Sequence, residues 1–201
     1  MRTSRPFGST AQACALTLVL CGAVTGCSNS QPADDHVMHQ TENGEPINLL
    51  VYNDTFASAG MPDAKYIQRL ASEGVDIVLN VAPPTSNGAL ENEPQLVANA
   101  GMTYLNIAVD WNSPTQKDVE QFLSFMQSHA DDNVFLHCQM NMRATAFAML
   151  HRVINQGVEP QSAMEDVHTI WQPNHVWATL MNETLTNHNV DFTVEVPPPA
   201  E

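Results

Sequence analysis

The sequence predicts a single α/β domain with a mostly parallel central sheet flanked by helices and a strand–cysteine loop–helix site at one sheet end. Three observations lead there. Between residues 47 and 190, apolar runs of strand length alternate with stretches of helical periodicity, the pattern of parallel strands joined by crossover helices. The helical stretches carry their own start and stop residues. A strand, a tight loop and a helix start follow one another without a break around Cys138.

The elements follow in order. Residues 47–52 read as a strand. Residues 63–73 place Ile67, Leu70 and Ala71 on one helical face, after Pro62 and before Gly74, with proline at the start and glycine past the end as helices favour. Residues 75–82 are a dense apolar strand. A short helix over 92–100 stops at Gly101, and residues 102–109 form the next strand. Thr115 and Asp118 stand at capping-box spacing ahead of Val119, Phe122, Leu123 and Met126, which predicts an amphipathic helix. Residues 133–137 are a strand and 142–155 a helix closed by Gly157. Two more helices, near 160–170 and 174–186, are expected to cover one side of the sheet.

The flanks differ from this core. Arg2 and Arg5 precede an apolar run over 11–24, roughly 14 residues, short for a bilayer span and suited to a secretory signal. The run ends in Val24-Thr25-Gly26-Cys27, which resembles the bacterial lipoprotein cleavage box. The expected organisation is a lipoprotein signal over 1–26, a flexible tether over 27–46, the domain over 47–190 and a C-terminal tail over 191–201. Cys27 would be the lipidated residue, and Ser28 after it resembles signals routed to the outer membrane, on its periplasmic face. The tether is polar and cannot bury a core. Its Asp34, Asp35, His36 and His39 read as a solvated tail rather than a metal site. The Pro-rich end, 196–201, is expected to fray.

Charge narrows the partners. The chain carries 7 basic and 22 acidic residues, a net −15. Loss of residues 1–26 removes two arginines and leaves −17. Such a surface disfavours nucleic acid, anionic membranes and highly charged polyanions. Any anion site must therefore be local, and membrane contact is expected through the lipid anchor only. Oligomeric state is not legible. Neither cofactor nor metal is implied, because His151, His168 and His175 lack ligand spacing with one another or with acidic residues.

Of the four cysteines, Cys14 and Cys21 leave with the signal and Cys27 is acylated, so Cys138 alone remains in the domain. It ends an apolar strand, and Gln139, Met140, Asn141 and Met142 lead to Arg143 at a helix start. A loop of this shape binds anions, because its N–H groups point inward and the helix dipole adds positive potential. The dipole alone contributes about 0.3–2 kcal/mol, and each hydrogen bond to a charged group about 1.5–3 kcal/mol. Several loop donors plus the planar fork of Arg143 are therefore needed to hold a thiolate or an oxyanion.

His137-Cys138 followed by Arg143 resembles the signature of the protein tyrosine phosphatase superfamily, dual-specificity branch. The stretch from Phe56 to about Trp177 is similar to the phosphatase-like domain of the bacterial beta-lactamase-hydrolase-like proteins. The matching pieces are Ser58-Ala59-Gly60-Met61-Pro62, Val78-Leu79-Asn80-Val81, Ile107-Ala108-Val109-Asp110-Trp111 and the loop from His137 to Arg143. The resemblance implies Cys138 as nucleophile, Arg143 as the group holding the transferred phosphoryl, His137 as the residue that orients the loop and favours the thiolate, and Asp110 as general acid. It also implies a substrate cradle over Gln139 to Met142. Asp110 also stands alone as a candidate, since it follows a strand on the edge where open α/β sheets bind ligands.

Two departures matter. Four residues separate Cys138 from Arg143, one fewer than in the usual phosphatase loop and equal to the rhodanese length. The loop has no glycine; Asn141 stands in its place, and Asn tolerates the left-handed conformation best after Gly. Ala144 replaces the hydroxyl usual after the arginine, and no such role passes to Thr145. Trp111, Trp171 and Trp177 read as packing, and Arg152, nine residues past Arg143, faces away from the site. Three functions follow: a phosphatase acting on a small or singly phosphorylated substrate through a phosphocysteine, a sulfurtransferase working through a Cys138 persulfide, or a non-catalytic anion- or partner-binding lipoprotein.

Overall fold

The computed structural model describes residue 41 and residues 44–198. Residues 1–26, Cys27 and the tether's Asp34, Asp35, His36 and His39 lie outside the described residues. The strands are β1 (Leu50–Asn53), β2 (Phe56–Ala59), β3 (Ile77–Asn80), β4 (Thr103–Asn106) and β5 (Val134–His137). The helices are α1 (Ala64–Ser72), α2 (Glu93–Asn99), α3 (Gln116–Ser128), α4 (Met142–Ile154), α5 (Pro160–Ile170) and α6 (His175–Asn187). The sheet order is β1-β2-β5-β3-β4. Only β1 is antiparallel, to β2; the other neighbours pair in parallel. The α/β class and mostly parallel sheet expected from the sequence are those observed.

Each strand is four residues long. The strand expected over 47–52 is shifted to β1, and β2 was not anticipated. Phe-Ala-Ser-Ala has one large apolar side chain and no alternation, yet all four residues are buried. Its place beside β5, covered on both faces, accounts for a strand whose composition does not announce one.

The capping box of α3 behaves as read, whereas α1 begins one residue later than expected, with Asp63 as its cap and Pro62 ahead of that cap. Asp63 caps α1 by accepting from Tyr66 N. Thr115 and Asp118 form the reciprocal capping box of α3. One sheet face packs Ala57, Ala59, Val78 and Phe135 against Tyr66, Ile67 and Leu70 of α1 and Val97 of α2. The other packs Phe56, Ile77, Leu79, Val134 and Leu136 against α3, α4, α5 and α6. The last two helices thus cover the side already carrying α3 and α4. Past α6, Val194 is buried and exchanges two hydrogen bonds with Asn182. The Pro197 carbonyl lies 3.0 Å from His175 Nδ1; residues 199–201 lie outside the described residues.

The register brings Ala59, His137, Asn80 and Asn106 level with one another at the C-terminal ends of β2, β5, β3 and β4. This is the edge at which open α/β sheets bind ligands.

Candidate active site

Beyond His137 the chain turns through Cys138 to Asn141 and enters α4. Asn141 adopts φ 66°, ψ −1° as the residue before the first helical turn. This is the left-handed conformation expected from asparagine in a glycine-free loop. The loop is clamped from outside. Asn141 Nδ2 donates to Asn48 O, Asn48 Nδ2 donates to Met140 O at 2.9 Å, and Met61 N donates to Gln139 O at 3.1 Å. Gly60 must be glycine here: a Cβ would stand 2.7 Å from Ile47 Cγ1 and 3.0 Å from Gln139 O. The Asn48 clamp was missed by sequence reasoning. Its one trace is an Asn at positive φ, 58°, which sequence does not display.

A cavity of about 320 Å³ opens over the loop, lined by Cys138, Gln139, Met140, Met142, Arg143 and Trp111. Cys138 is the free cysteine among the described residues and is 2% exposed. Arg143 is 7% exposed, and its Nη1 has no hydrogen-bond partner among the described residues. A guanidinium held out of water with an idle donor costs free energy unless an anion arrives. Its Cζ lies 5.9 Å from the Trp111 ring centre, within cation–π range. Trp111 in turn rests on Trp171 and Trp177 at 5.2 and 5.4 Å, and its carbonyl accepts from Trp177 Nε1. Trp171 and Trp177 are packing residues, as read; Trp111 packs and also lines the cavity, which the packing reading left out.

Asn141 does not line the cavity but is fully buried beneath it. Thr145 Oγ1 donates to Met142 O and accepts from Trp171 Nε1, so its hydroxyl is committed to the helix. Arg152 faces away from the loop and pairs with Asp166.

Asp110 sits on the exposed β4–α3 loop. Its Oδ1 accepts from Asn112 N at 2.8 Å, Ser113 N at 2.9 Å and Ser113 Oγ at 3.2 Å. These bonds, led by the two backbone N–H groups and helped by the Arg143 charge, hold its carboxyl below the usual carboxylate range. All three fall on Oδ1; Oδ2 has no such bond among the described residues.

His137 points to the opposite face of the sheet from Cys138 and is fully buried. Its Nε2 lies 2.9 Å from Glu93 Oε1. Glu93, on α2, is 2% exposed, and its Oε2 accepts from Asn80 Nδ2 and Tyr104 Oη, each at 3.0 Å. Burial pushes the Glu93 carboxyl up, but the His137 charge and these donors outweigh it and leave it below its ordinary value. Sequence reasoning passed over Glu93, which follows Asn92 in an apparent helix start where acids are ordinary. Among the described residues, no group of three His, Cys, Asp or Glu is placed to hold a metal ion.

Residues 57–157 match the family "Polymorphic toxin system, DSP-PTPase phosphatase". The fold resembles a candidate phosphatase of the DUF442 group from Shewanella putrefaciens CN-32, at 32% identity and TM-score 0.62, over 70% of this chain and 90% of that one. It also resembles TpbA of P. aeruginosa, solved with pTyr (21% identity, TM-score 0.51, 61% of this chain and 72% of that one). A third likeness is PTPMT1, solved with PI(5)P (16% identity, TM-score 0.58, 66% and 91%). No curated protein sequence matches.

Proposed function

Because the chain belongs to the dual-specificity-type family of protein tyrosine phosphatases, we propose that it hydrolyses a phosphoester through a phosphocysteine on Cys138. The observation that carries this reading is the buried Arg143 fork with an idle Nη1 beside Cys138 in one cavity. In the proposed reaction the Cys138 thiolate attacks phosphorus, and the bond to the leaving oxygen breaks. Arg143 and the loop N–H groups take the charge of the equatorial oxygens. Asp110 gives its proton to the departing oxygen from Oδ2, and as a carboxylate it then draws a proton from the water that releases phosphate from sulfur. The hydrogen bonds on Oδ1 fix the direction of the carboxyl but favour its ionised form. A bound phosphate dianion opposes that, since a neighbouring like charge disfavours a second one. Acid competence is therefore acquired with the substrate.

The substrate class proposed is a small or singly phosphorylated molecule. Among the described residues, Arg143 is the one cationic side chain lining the cavity, and the net charge of −15 repels polyanions. Two structures of the same fold were solved in complex with pTyr and with PI(5)P, ligands of this general kind. Attachment to a membrane through acylated Cys27, outside the cytoplasm, belongs to the same proposal. Mass spectrometry of membrane-extracted protein would find an acylated Cys27; an unmodified N-terminus would refute it.

The four-residue spacing between Cys138 and Arg143 favours a second reading, sulfur transfer through a Cys138 persulfide. The test is turnover of a panel of phosphomonoesters beside a thiosulfate–cyanide assay. Phosphate release that disappears in Cys138→Ser supports the proposal. Thiosulfate turnover without phosphate release would hand the site to sulfur transfer.

A further inference from the structure

We infer that Glu93 is a positioning residue of this site, acting on Cys138 from the far side of the sheet through His137. The inference rests in part on the proposed reaction, because it assigns Glu93 to the same cysteine.

The argument begins with where the polar groups are. His137 and Cys138 are neighbours in sequence at the end of a strand, so their side chains leave on opposite faces. Cys138 belongs to the face under α3 to α6 and lines the cavity. His137 lies on the other face, close to the Phe135 ring, with rings 6.0 Å apart. At the strand ends that face carries a polar knot of His137, Asn80, Tyr104 and Glu93, contributed by β5, β3, β4 and α2. Glu93 is its centre. Oε2 takes both neutral donors, and Oε1 is left for His137 alone. Neither ring nitrogen of His137 nor Glu93 Oε1 makes a hydrogen bond among the described residues; the ring's polar contact among them is the 2.9 Å approach of Nε2 to Oε1, a charge contact.

The surroundings fix the carboxylate more firmly than an ion pair alone would. Asn80 donates to Glu93 while its own Oδ1 accepts from Ala82 N at 2.8 Å. Asn106 Nδ2 donates to both Asn80 O and Ala82 O at 2.8 Å. The strand ends that carry the knot are thereby tied together. The cysteine has less support of its own: its N–H reaches Ala59 O only at 3.3 Å, the long end for an N–H···O bond. A ring anchored one residue earlier supplies the fixation that this ladder bond lacks.

A purely stabilising role fits the arrangement poorly. A buried ion pair gains little over apolar side chains of the same volume, because desolvation offsets the attraction. What it provides that apolar packing cannot is a fixed ring orientation and a fixed charge directly behind the nucleophile's residue. Glu93 does not line the cavity; its effect must pass through His137.

That last point makes the test a double-mutant cycle on the purified protein, with Glu93→Gln, His137→Asn and the pair. Two rates are read: kcat and KM on p-nitrophenyl phosphate, and alkylation of Cys138 by iodoacetamide at pH 7. Glu93→Gln is expected to lower kcat and the alkylation rate by roughly 10–100-fold, the span of a strong coupling, with KM changed less than about twofold. The double variant is expected to be no slower than His137→Asn alone, and Glu93→Asp to recover part of the loss by restoring the charge. Independent, additive losses would overturn the inference. So would lowered thermal stability with unchanged kcat and alkylation, the outcome a merely structural role gives. Should Glu93→Gln fail to fold, Tyr104→Phe removes one donor to Oε2 and is read in the same cycle, with a smaller loss expected only where His137 is present. If the parent protein releases no phosphate from any ester, the reaction proposed above fails while the alkylation cycle still decides the role of Glu93.

Discussion

His137 and His151 are both buried, and α4 and its preceding strand carry them to opposite ends of the domain. His137 stands at the C-terminal end of β5 with a carboxylate 2.9 Å from Nε2. His151, near the end of α4, has the side-chain amides of Asn155 and Gln156 at 3.0 Å from its two ring nitrogens. It faces a second cavity of about 180 Å³, bordered by Thr55, Phe56 and Val134 at the N-terminal ends of β2 and β5. Burial, helped by the Arg152 charge, pushes the His151 pKa down to about 4. The two residues have comparable exposure, 0% and 4%, and differ in partner. A histidine among neutral amides is a packing group that resists protonation. A histidine held against a buried carboxylate carries an oriented dipole, and it adjoins the cysteine. Burial alone therefore does not mark function; the partner and the neighbour do.

The comparison predicts that variants at the loop end remove activity with modest effect on stability, and variants at the other end do the reverse. The largest effects belong to the loop. Cys138→Ser is expected to abolish phosphate release, since no second thiol exists among the described residues. Arg143→Ala is expected to cost roughly 10²–10³-fold in kcat, the span for losing a principal oxyanion donor. Both variants are expected to unfold within a few degrees of the parent in thermal melts. Arg143→Ala at near-parental kcat would break the assignment of this end to chemistry.

Asp110 comes next. An alkoxide is a poor leaving group at neutral pH, so a positioned acid contributes roughly 10²–10⁴-fold, whereas an activated aryl phosphate needs little help. Asp110→Asn is expected to cut hydrolysis of an alkyl phosphate by that span and of p-nitrophenyl phosphate only slightly. Equal losses on both would remove Asp110 from the acid role and leave it as the loop-fixing residue its Oδ1 bonds describe.

How much of this was legible follows from what each element depends on. The helices were legible because their signals are local: Gly74, Thr115 with Asp118, and Gly157 each act within a turn or two. The Cys138–Arg143 loop was legible because strand, loop and helix are contiguous, and Asn141 could be read as the left-handed residue from its side chain alone. What escaped was non-local. β2 depends on two neighbours brought from residues 50–53 and 134–137. The Asn48–Asn141 clamp spans 93 positions. Glu93 meets His137 only because β5 inserts between β2 and β3. Trp111 was assigned to packing because three tryptophans together usually are packing; its second face toward Arg143 needs the loop's position.

At the opposite end the expected effect is on stability. With its folded pKa near 4 and an unfolded value near 6.5, His151 leaves the folded chain short of one proton between those pH values. The unfolded chain binds more protons there, so stability falls as pH drops through that window. At about 1.36 kcal/mol per unit, the loss is at most about 3 kcal/mol. His151→Gln is expected to flatten the dependence of the denaturation midpoint between pH 6.5 and 4.5, with kcat at neutral pH kept within about twofold. Glu93 does not confound this range. Its pKa lies below the ordinary 4.5, so its contribution is present above 4.5 and lost only as pH falls through its lower folded value. A midpoint equally steep in His151→Gln would assign the slope to other groups.

The smallest effect sharpens the comparison at the join between loop and helix, where Asn141 serves both conformation and clamping. Its φ of 66° costs an ordinary L-residue about 1–2 kcal/mol, and its Nδ2 bond to Asn48 O is worth about 0.5–1.5 kcal/mol. Asn141→Gly removes the bond and keeps the backbone freedom; Asn141→Ala removes the bond and adds strain. The two variants therefore separate the contributions. Glycine is expected to lose roughly 1 kcal/mol in denaturant unfolding and alanine roughly 1 kcal/mol more. Both stay folded, because the loop retains Asn48 Nδ2 on Met140 O and Met61 N on Gln139 O. Activity is expected to follow the strain rather than the bond. A left-handed residue at this position aims the first turn of α4, and with it Arg143, into the cavity, so alanine is expected to lower kcat more than glycine does. The reverse order, with glycine the slower enzyme, would mean that the clamp to Asn48 and not the backbone turn holds the loop for catalysis.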